Sequence, residues 1–211
     1  MARPVSKGVL DFDAYLDRLA SAAPTPGGGS AATLVGALSA ALVAMVARIT
    51  LGSQKLASVH PEAIALASDA DVLRSAFLAA RPLDEAAYEA VVTAQALPRS
   101  NDTEKATRTA RVQAALNAAA EAPLETAALA EMALALCERA AQLRNTYLMS
   151  DVDCAVRFAR AALEADAANV HVNHRYLKDA QVVAAQSRRL AAILERAHDH
   201  ENRTLAIVTA G

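Results

Sequence analysis

Apolar positions recur every three to four residues along most of the chain, the spacing of helices with one covered face. Phe12, Tyr15, Leu16 and Leu19 form the first such face and predict a helix over 11–22. Pro24 and Pro26, followed by Gly27, Gly28 and Gly29, break it, and Ser30 is placed to cap a second helix that ends near 51, before Gly52. From Ser30 to Ala47 this helix carries no charge. Its length alone would suit a membrane. Its Leu and Val are diluted by Ala, Ser, Thr and Gly, and small residues line up at Ala32, Gly36, Ala40 and Ala44, where another helix can approach closely. The pattern predicts a buried central helix of a soluble bundle and no membrane partner.

Pro61 and Glu62 open a third predicted helix that runs to about 80. Pro82 suits the first turn of a fourth, over 84–96, and Leu97-Pro98 stops it. Asn101 or Asp102 starts a fifth, and Pro123 marks a kink or restart before a sixth that ends near 143. Residues 145–149 read as a loop, and Ser150 with Asp153 three positions later resembles a capping box opening a long seventh helix. An amphipathic stretch over 178–200 and a short apolar tail over 205–208 complete the chain. The expectation is an all-α, single-domain bundle of seven or eight helices. A central helix this apolar also predicts a second copy covering part of it, in a homodimer.

Composition sharpens this picture. Apolar residues make up 54% of the chain and aromatic ones 3%, which favours closely packed helices over sheets. A formal charge of -2 lacks the basic footprint of a nucleic-acid binder. Cys137 and Cys154 have no metal-ligand spacing and read as two buried thiols in a reducing compartment. Charge comes too early in the first residues for an export signal, so a cytoplasmic location is expected.

The segment APTPGGGSAA over 23–32 is the richest in candidate chemistry. Three glycines strip the side chains from a loop that enters a helix, so backbone N–H groups can lie close to an anion or a flat ligand. A flexible turn before an ordinary cap explains the same residues. No Gly-Lys-Ser/Thr follows and no strand precedes, which excludes a P-loop and a dinucleotide-binding turn.

PTPGGGSAAT, the small-residue helix and ARITLG together resemble the N-terminal signature of the cyclodeaminase/cyclohydrolase family. Further segments resemble that family in order: Asp84 with Tyr88, Val91 and Leu97-Pro98; Glu104-Lys105; Ala122-Pro123-Leu124; Asn145 with Ser150-Asp151; and Asn169-Val170-His171-Val172-Asn173. The resemblance implies an all-α homodimer that interconverts formimino-, methenyl- and formyltetrahydrofolate with no cofactor beyond the folate substrate. It places the acid/base role on Asp84, with Asp151 as the neighbour that would raise its basicity. Pro26, Gly27, Gly28, Gly29, Ser30, Lys55, Ser150, Asn169 and Asn173 are then the substrate-binding candidates. The chain departs from the family at Gly52-Ser53-Gln54-Lys55, which keeps one lysine of several. It departs also at Arg144, where glycine is frequent, and at Asp153.

Each candidate has a plainer reading. Asp84 and Asp151 suit the first turns of helices. Asn169 and Asn173, four apart on one face, can satisfy each other or a helix backbone. Lys55 suits a solvated helix end. His171 with His174, and His198 with His200, lack a third ligand, and no metal is expected. The expected reaction is methenyltetrahydrofolate hydrolysis to 10-formyltetrahydrofolate. The alternatives are formiminotetrahydrofolate cyclodeamination with release of ammonia, or a non-catalytic helical dimer that binds folate or a protein.

Overall fold

The computed structural model describes residues 11–210, and the regular structure among them is helical throughout. Six α-helices follow in order: α1 (Phe12–Leu19), α2 (Gly28–Leu51), α3 (His60–Gln95), α4 (Asp102–Gln142), α5 (Met149–His174) and α6 (Ala180–Thr209). Short 3₁₀ turns cover Gln54–Val59 and Thr146–Leu148. Helices α2 to α5 run up and down around a shared core, each packed on the next, with α5 closing back on α2; α6 lies outside, along α4 and α5. Val43, Leu66, Phe77, Leu124, Leu134 and Val156 fill that core, with fully buried alanines such as Ala40, Ala63, Ala130 and Ala159 at the closest approaches.

α2 is long and apolar enough to cross a membrane, yet 56% of its most apolar window is buried inside the bundle. The Ser39 hydroxyl donates to the Ala155 carbonyl at 2.7 Å, and Gly36 leaves room for the Phe77 ring. Both are marks of a core helix.

The expected helix start at Pro82 and restart at Pro123 are absent: α3 and α4 continue through both prolines. A helical proline has no N–H for the carbonyl four residues back. Leu78, opposite Pro82, lies where water can reach. The Ala119 carbonyl, opposite Pro123, instead accepts from Asn173 Nδ2 of α5 at 2.9 Å. Fusion makes six helices of the seven or eight expected and makes two of them long. At roughly 1.5 Å per residue, the 36 residues of α3 and 41 of α4 overshoot the 24 of α2 by many ångströms. The overhang lies beyond the start of α2.

Other boundaries match or shift for local reasons. Gly52 ends α2, and Asn101 caps α4 by accepting from the Glu104 N–H at 2.9 Å while Glu104 accepts from the Ser100 N–H. Ser30 is not a cap: α2 starts from Gly27, and Ser30 lies inside its first turn. Ser150 is not a cap either, because the 3₁₀ turn leads directly into α5 at Met149. α1 stops at Leu19, and the apolar tail over 205–208 belongs to the last turns of α6. Of the two thiols expected inside, Cys137 is buried and Cys154 is exposed. Arg144 has φ 55°, a left-handed conformation that glycine adopts without strain, so a frequent glycine there has a backbone reason.

Candidate active site

The first turn of α2 has N–H groups that its own chain leaves uncapped, because its N-cap, Gly27, has no side chain. The missing acceptor arrives from α3. Asp84, where α3 passes the start of α2, sets its carboxylate against this turn so closely that a Cβ at Gly29 would lie 2.2 Å from Oδ1 and 2.6 Å from Cγ. Gly29 is therefore required for space. Burial raises the Asp84 pKa above the usual carboxylate range; the Ser30 N–H partly offsets this, and the Glu85 charge adds to it.

Glu85 is clamped by its neighbours. It accepts from Ser30 Oγ at 3.0 Å and from Arg81 Nη1 at 2.8 Å, and Arg18 of α1 approaches at 3.5 Å. The Tyr15 hydroxyl, buried, meets Ser30 Oγ at 3.1 Å, and the Arg81 guanidinium lies 5.7 Å from the Tyr15 ring centre. This network ties α1 to α2 and α3 and fixes the helical turn that presents Asp84.

α5 supplies the opposite wall. Asn169 Nδ2 donates to the Ala165 carbonyl at 2.9 Å; Asn173 Nδ2 donates to the Ala119 and Asn169 carbonyls at 2.9 and 3.0 Å. Both amide N–H groups of Asn173 and one of the two on Asn169 are committed to backbone, and the two Oδ1 atoms are acceptors left for a ligand. Between these walls lies a cleft of 610 Å³, in the usual range for a small-molecule site. Gly27, Gly28, Gly29, Asp84, Asn169 and Asn173 line it, with apolar surface from Val91, Leu116 and Val172 and aromatic rings from Tyr88 and Tyr176. Pro26 and Ser30 are buried behind the glycine bend, and the Thr25–Pro26 bond is cis.

Among the described residues no group of three His, Cys, Asp or Glu side chains is placed to hold a metal. His174 instead contacts Gln186 at 2.9 Å, and His200 contacts Glu138 at 2.7 Å.

A sequence profile described as formiminotransferase-cyclodeaminase matches residues 11–192. The chain belongs to that family. It is 37% identical over 186 residues to the methenyltetrahydrofolate cyclohydrolase of Methylorubrum extorquens, covering 88% of this chain and 89% of that one. It is 25% identical to the formimidoyltransferase-cyclodeaminase of Rattus norvegicus over 87% of this chain, which spans 34% of that longer protein. The fold matches the crystal structure of formiminotetrahydrofolate cyclodeaminase from Thermotoga maritima, with a TM-score of 0.85, 24% identity and 95% and 96% of the two chains covered.

Against this family background, three expected site residues lie elsewhere. Asp151 is 18 residues before Asn169 on the same helix, about 27 Å away along its axis. It is therefore not the neighbour of Asp84. Ser150 shares its position, and Lys55 follows the far end of α2, so neither lines the cleft. Antiparallel packing is the reason. Asn145 Nδ2 donates to Thr50 Oγ1 at 3.1 Å, which ties the start of α5 to the end of α2 rather than to its beginning. The acid that does act on Asp84 from its own helix is adjacent Glu85, and a second carboxyl, Asp166, lies one turn before Asn169 on α5. Its signal in the sequence was an acid on the stripe Asp166, Asn169, Asn173, within a run of alanines.

Proposed function

We infer that this chain is a methenyltetrahydrofolate cyclohydrolase, adding water to 5,10-methenyltetrahydrofolate and opening it to 10-formyltetrahydrofolate. One observation carries the reading: a carboxylate made more basic by burial faces, across a cleft of 610 Å³, two side-chain oxygens free to accept hydrogen bonds. The 37% identity to a cyclohydrolase over nearly the whole chain supports it.

The chemistry follows from the charges. The methenyl carbon belongs to an amidinium cation, which the Asp84 carboxylate attracts. As water forms its C–O bond to that carbon, Asp84 takes a proton, an effect worth about 10²–10⁴-fold in rate. The proton returns to N5 as the C–N5 bond breaks, and the hydroxyl proton leaves as the formyl carbonyl forms. One proton is released overall. The Oδ1 atoms of Asn169 and Asn173 accept from pterin N–H groups, and the apolar and tyrosine surfaces cover the rings. The anionic glutamate tail fits the outer mouth, where Arg108 Nε donates at 3.0 Å to the carbonyl of Gln95, a residue that lines the cleft. That guanidinium takes the role first given to Lys55. No further cofactor belongs to this reading, and a cytoplasmic location is part of it.

A homodimer is also part of it. Ala31, Val35, Leu38, Leu42, Met45 and Ile49 form an uncharged stripe on the outer face of α2, with Leu38 and Ile49 about half exposed. A second copy of this chain is the occupant that suits a self-complementary apolar stripe. Analytical ultracentrifugation tests it: the unaltered chain sediments as a dimer and Leu38→Glu as a monomer, whereas a monomeric unaltered chain removes the idea.

The activity is tested by following loss of methenyltetrahydrofolate absorbance at mildly acidic pH, where spontaneous hydrolysis is slow. Catalysed loss that Asp84→Asn abolishes supports the assignment. Ammonia release from the formimino substrate without hydrolysis would move the chain to the cyclodeaminase side. Activity on neither would leave a non-catalytic helical dimer.

A further inference from the structure

Asp166 is fully buried on α5, and neither of its carboxyl oxygens has a hydrogen-bond partner in the protein. It lies beneath the cleft floor, one turn before Asn169 and within electrostatic reach of Asp84. A carboxyl left without donors inside a core costs stability, and hydrophobic packing has no use for it. Natural folds retain such groups where they serve a site. The charges around it are few. From α3 come Asp84 and, behind it, Glu85, which is paired with Arg81. At this level α2 presents Ser30 and Thr33, both uncharged and buried. On α4 and α6, Glu121 and Arg189 pair with each other; on α5 itself Glu164 pairs with Arg160, and His174 further along is engaged by Gln186.

We propose that Asp166 is a charge-responsive group under the site: it stays uncharged beneath the empty cleft and yields its proton to solvent when a cationic folate enters above it. This rests on the folate reading of the cleft. Burial, and secondarily the Asp84 charge, push the Asp166 pKa up to about 8, so Asp166 itself is mostly protonated in the empty site at neutral pH. An incoming amidinium favours its ionisation. When water addition neutralises that cation, the reason for the Asp166 charge disappears and it takes a proton back from solvent. The site thereby grips the substrate with its amidinium more firmly than the product without it.

The test compares Asp166→Asn with the unaltered protein at pH 6.5. It measures affinity for 5,10-methenyltetrahydrofolate as KM under slow turnover, and by calorimetry for 5-formyltetrahydrofolate, which shares the anionic tail and lacks the amidinium charge. Asparagine keeps the shape and cannot ionise. Expected is a loss of about tenfold for the cation alone, the scale of one charge acting several ångströms from another at a partly screened site. Affinity for the folate without the amidinium stays within about twofold. Equal losses for both would assign Asp166 a merely structural part, and no loss for either would leave it without influence; each overturns the proposal. An infrared carboxylic-acid band at neutral pH, absent from Asp166→Asn, reads the bound proton without any folate, and its absence also overturns the proposal. If the unaltered protein binds neither folate while that band is present, it is the folate reading that has failed, and the proposed response to cations falls with it.

Discussion

Replacing Gly29 by alanine puts a methyl carbon 2.2 Å from Asp84 Oδ1 and 2.7 Å from Oδ2, far inside the ~3.5 Å of ordinary contact. The aspartate side chain is short, so its carboxylate must swing off the first turn of α2. Two stability effects oppose each other. Alanine within a helix gains up to about 1 kcal/mol over glycine, and losing the carboxylate from an otherwise uncapped helix start costs about as much. The melting temperature should therefore move little. Activity should not survive the displacement, because the proton acceptor leaves the reacting carbon, and the expected fall in kcat/KM is about 10²–10⁴-fold. Gly36→Ala is the matched control. There the new methyl would meet the buried Phe77 ring at 2.4 Å, overpacking the core at a cost of about 1–3 kcal/mol. It lies seven residues, about 10 Å, further along α2, so the folded enzyme keeps its kcat/KM within a few-fold. Methenyl absorbance and thermal circular dichroism read both variants. A Gly29→Ala protein with unchanged activity and stability would refute the placement of Asp84 at the reacting carbon.

Three further outcomes follow from the same geometry. Because the Asp166 pKa is raised from the model-compound value of 3.8 to about 8, the folded state keeps a proton that the unfolded chain releases between those values. Its contribution to stability is thus fully present below about pH 4 and is lost as pH rises toward 8. Denaturant titrations should show Asp166→Asn gaining about 3–4 kcal/mol on the unaltered protein between pH 5 and pH 8, and parallel pH responses would contradict a buried proton. Pro123→Ala restores an N–H opposite the Ala119 carbonyl, which now accepts from Asn173. Asn173 should loosen, raising KM several-fold with kcat largely kept, and an unchanged KM would remove Asn173 from substrate binding. Finally, the exposed Cys154 thiol should react with a thiol reagent in the native protein, while Cys137, buried and pushed up to about 12, reacts after unfolding. Equal native reactivity would contradict the packing of α4.

Much of the helix pattern was legible because it is local. The caps at Asn101 and Gly52, the stop before Leu97-Pro98 and the burial of α2 follow from residues within a turn or two of each other. Asp84, the glycines, Asn169 and Asn173 were recognisable from a family resemblance, and the fold brings them to one cleft. Asp151, Ser150 and Lys55 were grouped with them by the same resemblance, yet a motif order along the chain carries no information on which end of an antiparallel helix faces the site.

Sequence alone determined that this chain forms helices around a central one free of charge from Ser30 to Ala47, since side-chain period and the absence of charge act within each segment. Tertiary structure decided whether Pro82 and Pro123 end a helix or ride within one. That depends on whether the freed carbonyl finds another donor, and for Ala119 the donor, Asn173, comes from 54 residues away. From this continuity come the overhang, the cleft beneath it, and a carboxylate on α3 that caps α2 from outside its own segment.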